Sequence, residues 1–366
     1  MILACAVLLL SYMSWDTWGA PLPWGAARQG NSLWWRKASM PLPASITSQT
    51  IRCTQTAPNT VHPVLKTFHA APLVHPQSSI VTPWRQPSPF EVRYPHQYHF
   101  ILDEPKKCWG QSPFLVLLVP VAPGNRAARN AIRRTWGSNS LAPGRIIHTL
   151  FLLGLEAGAG EGLQAHLGRE SAAHCDLLQA NFLDSYLNLT IKTMLMLEWL
   201  SSRCPNTTYA AKVDTDIFLN LDHLLGLLDP LGPSKHDYIT GAIITGGLVH
   251  RDRASKWYMP QEIYPKPRYP LYVSGNAYVF SMDLPSKILE ASRHVRPVHL
   301  EDVYLGMCLE YLGIKPTPPP DPHLFCLTPL PSRCLLTHVI SITGLQPRDL
   351  LLYWVNFRKS RTPFHK

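Results

Sequence analysis

Three stretches of the chain carry side chains whose types and spacing can do chemistry. In Lys212-Val213-Asp214-Thr215-Asp216, two aspartates stand two residues apart. In extended backbone such residues point to the same side, so both carboxylates can hold one hard divalent cation. Mg²⁺ or Mn²⁺ there keeps positions open for water and phosphate oxygens. An Asp-x-Asp pair alone is common, and an exposed turn with a capping aspartate is the plain alternative. Apolar residues on both sides (209–213 and 217–219) instead place the pair at the end of a buried strand.

The second stretch is His299-Leu300-Glu301-Asp302-Val303-Tyr304-Leu305-Gly306. Acids at the start of a helix cap free amides and suit the helix dipole. A carboxylate held there also stays ionised and can accept a proton from a hydroxyl nucleophile. Adjacent helical positions point about 100° apart, so only one of the two acids can face a crevice. The third stretch runs from Lys256-Trp257-Tyr258-Met259-Pro260 through Tyr264, Tyr269 and Tyr272 to Ser274-Gly275. Aromatic faces suit the apolar faces of sugar rings, and ordinary core packing is the competing use of the same residues.

Positioning these groups requires strands and helices in alternation, and the pattern from residue 97 onward supplies them. An apolar run at 114–119 (FLVLLV) predicts a strand buried on both faces. Pro123-Gly124-Asn125 then predicts a turn and cap, followed by a helix with Ala128, Ile132 and Trp136 on one face. Further strands are predicted at 146–153, 209–213, 238–244 and 272–280, and helices within 163–184 and at 186–202, 221–228 and 303–311. The predicted class is α/β, with parallel strands whose carboxyl-end loops form a ligand crevice.

The first 96 residues differ in kind. Twelve of the 35 prolines fall there, and Asp16 is the only acid before Glu91, beside six lysines and arginines. Such composition predicts an extended stem at 21–96 without a packed core. At 2–13 stands a run of twelve residues, apolar apart from Ser11. It is short of the roughly twenty needed to span a bilayer and lacks the basic residues that precede a secretory signal. We read residues 1–20 as a signal-anchor-like segment giving entry to the secretory pathway.

The net charge of +10 comes about half from this front. With no run of five basic residues, it suits an anionic small ligand better than nucleic acid. Sequons at Asn188-Leu189-Thr190 and Asn206-Thr207-Thr208 fit the same compartment. So do eight cysteines, none in a Cys-x-x-Cys pair. Cys326, Cys334 and His338 have a metal-like spacing, though a disulfide or plain core accounts for them more simply.

Taken together these motifs become recognisable. Arg129-Asn130-Ala131-Ile132-Arg133-Arg134-Thr135-Trp136-Gly137, Phe151-Leu152-Leu153-Gly154 and Asp184-Ser185-Tyr186-Leu187-Asn188-Leu189-Thr190-Ile191-Lys192-Thr193 precede the Asp214–Asp216 pair. Lys256 to Pro260 and Glu301-Asp302-Val303-Tyr304 follow it. In that order, from about Tyr98 to Trp354, the chain resembles the β-1,3-galactosyltransferases, most of all their type 2 branch.

The resemblance implies a GT-A fold over residues 97–366, UDP-galactose as donor and inversion at the anomeric carbon. It implies Mn²⁺ (or Mg²⁺) as cofactor, with Asp216 as ligand and Asp214 supporting the metal or the nucleotide. Arg129, Arg133 and, indirectly, Lys192 would hold the donor. Asp302 would be the base, and Glu301, Trp257 and Tyr258 would meet the acceptor. That acceptor would be a glycan on glycoprotein or glycolipid, ending in N-acetylglucosamine. The protein would be a single-pass type II Golgi membrane protein with a lumenal catalytic domain.

Two departures stand out. Thr343 occupies the place of a metal-binding histidine four residues before Pro347, and Ser274-Gly275-Asn276-Ala277 replaces Ser-Gly-Thr-Gly. Two other functions stay open at this point: transfer of N-acetylglucosamine, and a catalytically weak sugar-binding Golgi homologue.

Overall fold

The computed structural model describes residues 88–138, 144–158, 160–229, 236–328 and 336–361. Contacts divide the chain into Met1–Gln49 and Thr50–Lys366, and every described residue belongs to the second unit. The apolar run at 2–13 and the stem as far as residue 87 lie outside the described residues. Among those described, no helix is long and apolar enough to cross a membrane.

In chain order the strands are β1 (Phe100–Leu102), β2 (Leu115–Pro120), β3 (Ile147–Leu155), β4 (Leu177–Leu183), β5 (Tyr209–Val213), β6 (Phe218–Leu219), β7 (Ile239–Ile244), β8 (Tyr272–Ser281), β9 (Phe325–Cys326) and β10 (Ser341–Ile342). The helices are α1 (Arg126–Arg133), α2 (Glu161–His174), α3 (Leu189–Arg203), α4 (Leu221–Leu228), α5 (Leu284–Ala291), α6 (Glu301–Leu312) and α7 (Pro347–Arg361).

The main sheet has the order β1-β4-β3-β2-β5-β8-β7. Strands β2, β3, β4 and β5 are parallel, whereas β1, β8 and β7 pair antiparallel with their neighbours. The sheet is therefore mixed rather than parallel throughout. Strand β8 runs back beside β5 in the register Val213↔Ala277 and Lys212↔Tyr278. This brings Ser274 to Asn276 against the strand end that carries Asp214. A small second sheet, β6-β10-β9, lies just after the aspartate pair.

Every residue of β2 is buried, as a strand covered on both faces requires. Alternate residues feed two cores. Val116, Leu118, Leu150 and Leu152 join α3, α5 and α6 on one face; Leu115, Leu117, Phe151 and Leu153 join α1 and α7 on the other. Packing begins before residue 97. Val92 and Tyr94 are buried, and the Tyr94 hydroxyl donates to Glu198 Oε1 at 2.7 Å. A disulfide, Cys108–Cys204, ties the segment before β2 to the residue following α3.

Strand β4 lies within 163–184, where the sequence pattern favours helix. Its apolar residues form a strand because β1 and β3 offer it edges on both sides, a tertiary partnership that periodicity does not encode. Helices α5 and α7, strand β1 and the two-residue strands were likewise not anticipated.

Candidate functional site

The chemistry of the site is gathered where β5, β8 and α6 meet. Lys212, near the end of β5, is 5% exposed in its side chain and lies 2.7 Å from Asp214 Oδ1 and 2.8 Å from Glu301 Oε1. Its ammonium also donates to the Gly275 carbonyl. The Gly275 amide in turn donates to Asp302 Oδ2 at 3.0 Å, while Asp302 Oδ1 accepts from the Val303 amide at 2.8 Å. Glu301 is 5% exposed, and its Oε2 accepts from the Tyr278 hydroxyl at 3.3 Å and from Thr193 Oγ1 at 3.4 Å. The two acids that open α6 are thus separated as the helical geometry requires. Glu301 points inward to Lys212, and Asp302 is held by two backbone amides.

Carboxylates crowded in this way titrate abnormally. Burial raises Asp302 above the usual range, against the opposing pull of the Gly275 and Val303 amides. Burial also raises Glu301, partly offset by Lys212, and raises Asp214 to about 6 despite the neighbouring Lys212. Burial alone would lower Lys212, but Asp214 and Glu301 outweigh it and hold the amine above its usual value. Perturbed groups gathered at the carboxyl end of a strand mark a functional site.

Asp216 sits one short step away. Its Oδ2 accepts from Thr343 Oγ1 at 3.3 Å, and its carbonyl accepts from the Leu345 amide at 2.9 Å. The residue that replaces the expected histidine therefore does face the aspartate pair. Among the described residues no group of three or more His, Cys, Asp or Glu side chains forms a metal cluster. Two carboxylates and a hydroxyl remain, all hard oxygen donors. Such a set fits Mg²⁺ or Mn²⁺, which take few protein oxygens when phosphate and water complete the shell.

The arginines read as donor-binding have other partners. Arg129 is 1% exposed and grips Glu170 in a bidentate pair, Nε to Oε1 at 2.8 Å and Nη2 to Oε2 at 2.7 Å. Its Nη1 donates to the carbonyls of Ala122 and Pro123. Arg133 binds Asp176 through Nε and Nη2, both at 2.8 Å, and Glu170 at 2.7 Å. Both guanidinium groups are paired with carboxylates, and Arg129 alone of the two also holds the 122–123 loop. Lys192 behaves similarly. Buried on α3, it binds both oxygens of Asp184 at 3.0 and 2.7 Å and the Val121 carbonyl at 2.9 Å. Asp184 Oδ2 also accepts from the Gly154 amide at 2.8 Å, so one ion pair fixes the ends of β2, β3 and β4.

Trp136, a core marker in the sequence pattern, also makes a polar contact beside the aspartate pair. Fully buried, its Nε1 donates to the Ile217 carbonyl at 2.8 Å, which pins the backbone immediately after Asp216.

The aromatic stretch divides in two. Met259, Tyr264 and Tyr269 are core, as the plain alternative has it. Trp257 is 46% exposed, with its ring 5.3 Å from His250 and under the Lys256 ammonium at 4.6 Å. Tyr258 packs edge-on against Phe90 at 5.2 Å, and Phe90 contacts His299 at 5.3 Å, so this loop abuts the segment entering α6. Of the two sequons, Asn206 is exposed. The Asn188 amide donates to the Leu183 carbonyl at 2.8 Å, and Thr190 Oγ1 donates into the core to Val298 O at 2.6 Å.

The comparisons agree with this architecture. Beta-1,3-galactosyltransferase 2 of Homo sapiens is 44% identical over 272 residues, 73% of this chain and 64% of that protein. The Pongo abelii protein of the same name matches equally. Beta-1,3-galactosyltransferase 1 of Mus musculus is 40% identical over 261 residues, 71% of this chain and 78% of its own length. The match thus spans just under two thirds of the type 2 relatives and more than three quarters of the type 1. The Galactosyltransferase family model covers residues 127–320, from α1 through the aspartate pair and past Asp302, and the chain belongs to that family.

Proposed function

We propose that the chain transfers galactose from UDP-galactose to the 3-hydroxyl of a terminal N-acetylglucosamine-type acceptor on glycoprotein or glycolipid, with inversion. The observation that carries this reading is the joining of Asp214 and Asp302 through Lys212 and Gly275. One carboxylate stands beside Asp216, and the other is free to meet a hydroxyl. The printed activity of the relatives, beta-1,3-galactosyl transfer, supports the same chemistry.

In this reading Asp302 takes the proton of the acceptor hydroxyl as its oxygen forms the new bond to the sugar's anomeric carbon. The bond from that carbon to the diphosphate breaks on the opposite face, so no covalent intermediate is needed. A raised carboxyl suits a base that must work near neutrality. Asp216, with Asp214 and the Thr343 hydroxyl, would hold Mn²⁺ or Mg²⁺. The bound ion would neutralise charge on the departing diphosphate. Lys192 and Arg129 act on the donor through the loops they fix, Arg133 supports Arg129 through their shared Glu170, and Trp257 offers an exposed face to the acceptor. A type II Golgi setting, anchored by the N-terminal apolar run, accords with the disulfide and the sequons.

Thr343 sustains the reading of a weak sugar-binding homologue, since a hydroxyl is a poorer metal ligand than imidazole. Incubating the protein with UDP-galactose, UDP-N-acetylglucosamine and β-N-acetylglucosaminide acceptors, with Mn²⁺ present, separates the three possibilities. Galactose incorporation is expected. Incorporation of N-acetylglucosamine, or acceptor binding without transfer, would replace this function with one of the others.

A further inference from the structure

We infer that Lys212 is a positioning residue that holds the base and the donor-side carboxylate in one rigid frame; the inference rests on the transfer reading above. An ammonium has three donors and no acceptor. Here all three are spent, on Asp214 Oδ1 at 2.7 Å, on Glu301 Oε1 at 2.8 Å and on the Gly275 carbonyl. The three acceptors come from three different elements: the end of β5, the start of α6 and the middle of β8.

Gly275 is the hinge of this arrangement. Its carbonyl takes the lysine proton, and its amide donates to Asp302 Oδ2 at 3.0 Å. A single residue therefore separates Lys212 from the proton-accepting carboxylate. The fit leaves no room for a side chain, since a Cβ on Gly275 would stand 2.7 Å from Glu301 Oε1 and 3.4 Å from Asp302 Oδ2. Glu301 is braced from behind by Tyr278 and Thr193. Packing of α6 against β8 is equally close, because a Cβ on Gly306 would stand 2.6 Å from Tyr272 Cβ. The Lys212 side chain is 5% exposed, so its effect must pass through Asp214 and Asp302.

A structural ion pair would look similar in stability alone, so the test separates geometry from folding. In Lys212→Met/Glu301→Gln both buried charges disappear together, and the one ion left without its partner, Asp214, has a 36%-exposed side chain that water can reach. Displacing a reacting group by about 1 Å costs on the order of 10² in rate. The double variant is therefore expected to melt near the parent temperature while kcat falls by about 10- to 100-fold and acceptor KM moves less than about 3-fold. Lys212→Arg keeps the charge, but its planar fork does not match three acceptors arranged around one ammonium. It should keep the parental melting temperature and still lose kcat.

Calorimetric titration with UDP and Mn²⁺ supplies a readout independent of turnover, and weaker binding in the double variant is expected as Asp214 loses its partner. A double variant with parental kcat and parental UDP–Mn²⁺ affinity would overturn the inference. Were the parent itself to transfer no sugar, the transfer reading would fall, and the UDP–Mn²⁺ titration alone would decide Lys212. Unchanged affinity in the double variant would reject it.

Discussion

Arg129 and Arg133 face Glu170 on α2 and Asp176 just beyond it, with the exposed Arg126 also 3.8 Å from Glu170, so every carboxylate of this cluster meets an arginine. At the other end of the motif order, Lys212 answers Asp214 and Glu301, with Asp302 and Asp216 close by and, among the described residues, no further lysine or arginine paired to them. Both regions use the residue types that bind nucleotides and metals. Their titration separates them. Burial alone would raise Glu170, but Arg129 and Arg133 outweigh it and bring it down to about 2. Asp214 and Asp302 finish above their ordinary values. In the balanced cluster each carboxylate already has an arginine, whereas half-buried carboxylates that outnumber their cations can take a cation, a proton or both. Charge balance, more than residue type, distinguishes the scaffold from the site.

The sharpest break in this comparison is Asp216→Ala, which removes a carboxylate from the unbalanced cluster. Transfer is expected to fall to background, and excess chelator should do the same to the parent. Full turnover in chelator would show that the diphosphate departs without a cation. Next in size is Asp302→Asn, which keeps shape and capping but accepts no proton. It should cost about 10² to 10⁴ in kcat with UDP affinity near parental by calorimetry; Glu301→Gln should be milder. Equal activity of Asp302→Asn and parent would remove the base from this position.

In the balanced cluster the expected loss is stability, not turnover. Arg129→Met leaves the 2%-exposed Glu170 side chain with Arg133 at 2.7 Å as its close partner, so the loss should stay below the about 3–5 kcal/mol of a fully broken buried pair. Melting should register it, while the folded fraction retains its kcat. A normal melting curve with lost donor affinity would instead return Arg129 to the ligand.

The smallest effect concerns His299, two residues before Glu301 and 1% exposed. Burial lowers its pKa from 6.5 to about 4. The unfolded chain therefore takes up the proton first as pH falls. Stability from this group is complete above about pH 6.5 and is lost on descending to about 4, at up to about 1.4 kcal/mol per pH unit. Denaturant midpoints across that window should fall less steeply in His299→Phe than in the parent. Parallel slopes would show that His299 does not contribute.

Much of the fold was open to reading along the chain. Strand β5 and helix α4 fall where their apolar patterns place them, because each buries one continuous stripe that local residue order specifies. Strand β4 does not, since its seven residues follow α2 after only Cys175 and Asp176 and become a strand through the edges of β1 and β3. Strands β6, β9 and β10 have two residues each, too few for any period to show. At the site, the aspartate pair and the Glu301-Asp302 step were visible because strand and helix periods fix which way neighbouring side chains point.

What the chain order determined by itself was the inventory: an α/β pattern, ordered family motifs, paired acids on a strand end and adjacent acids on a helix start. What only the tertiary structure decided was which charges meet. Arg129 finds Glu170 across 41 positions, and Lys212 finds Glu301 across 89. No local pattern encodes partners at that distance. They are set by the antiparallel return of β8 beside β5 and by the seating of α6 on β8, where glycines at 275 and 306 let backbone and carboxylate approach. Those contacts pair the two arginines with Glu170 and Asp176, and Lys212 with Asp214 and Glu301.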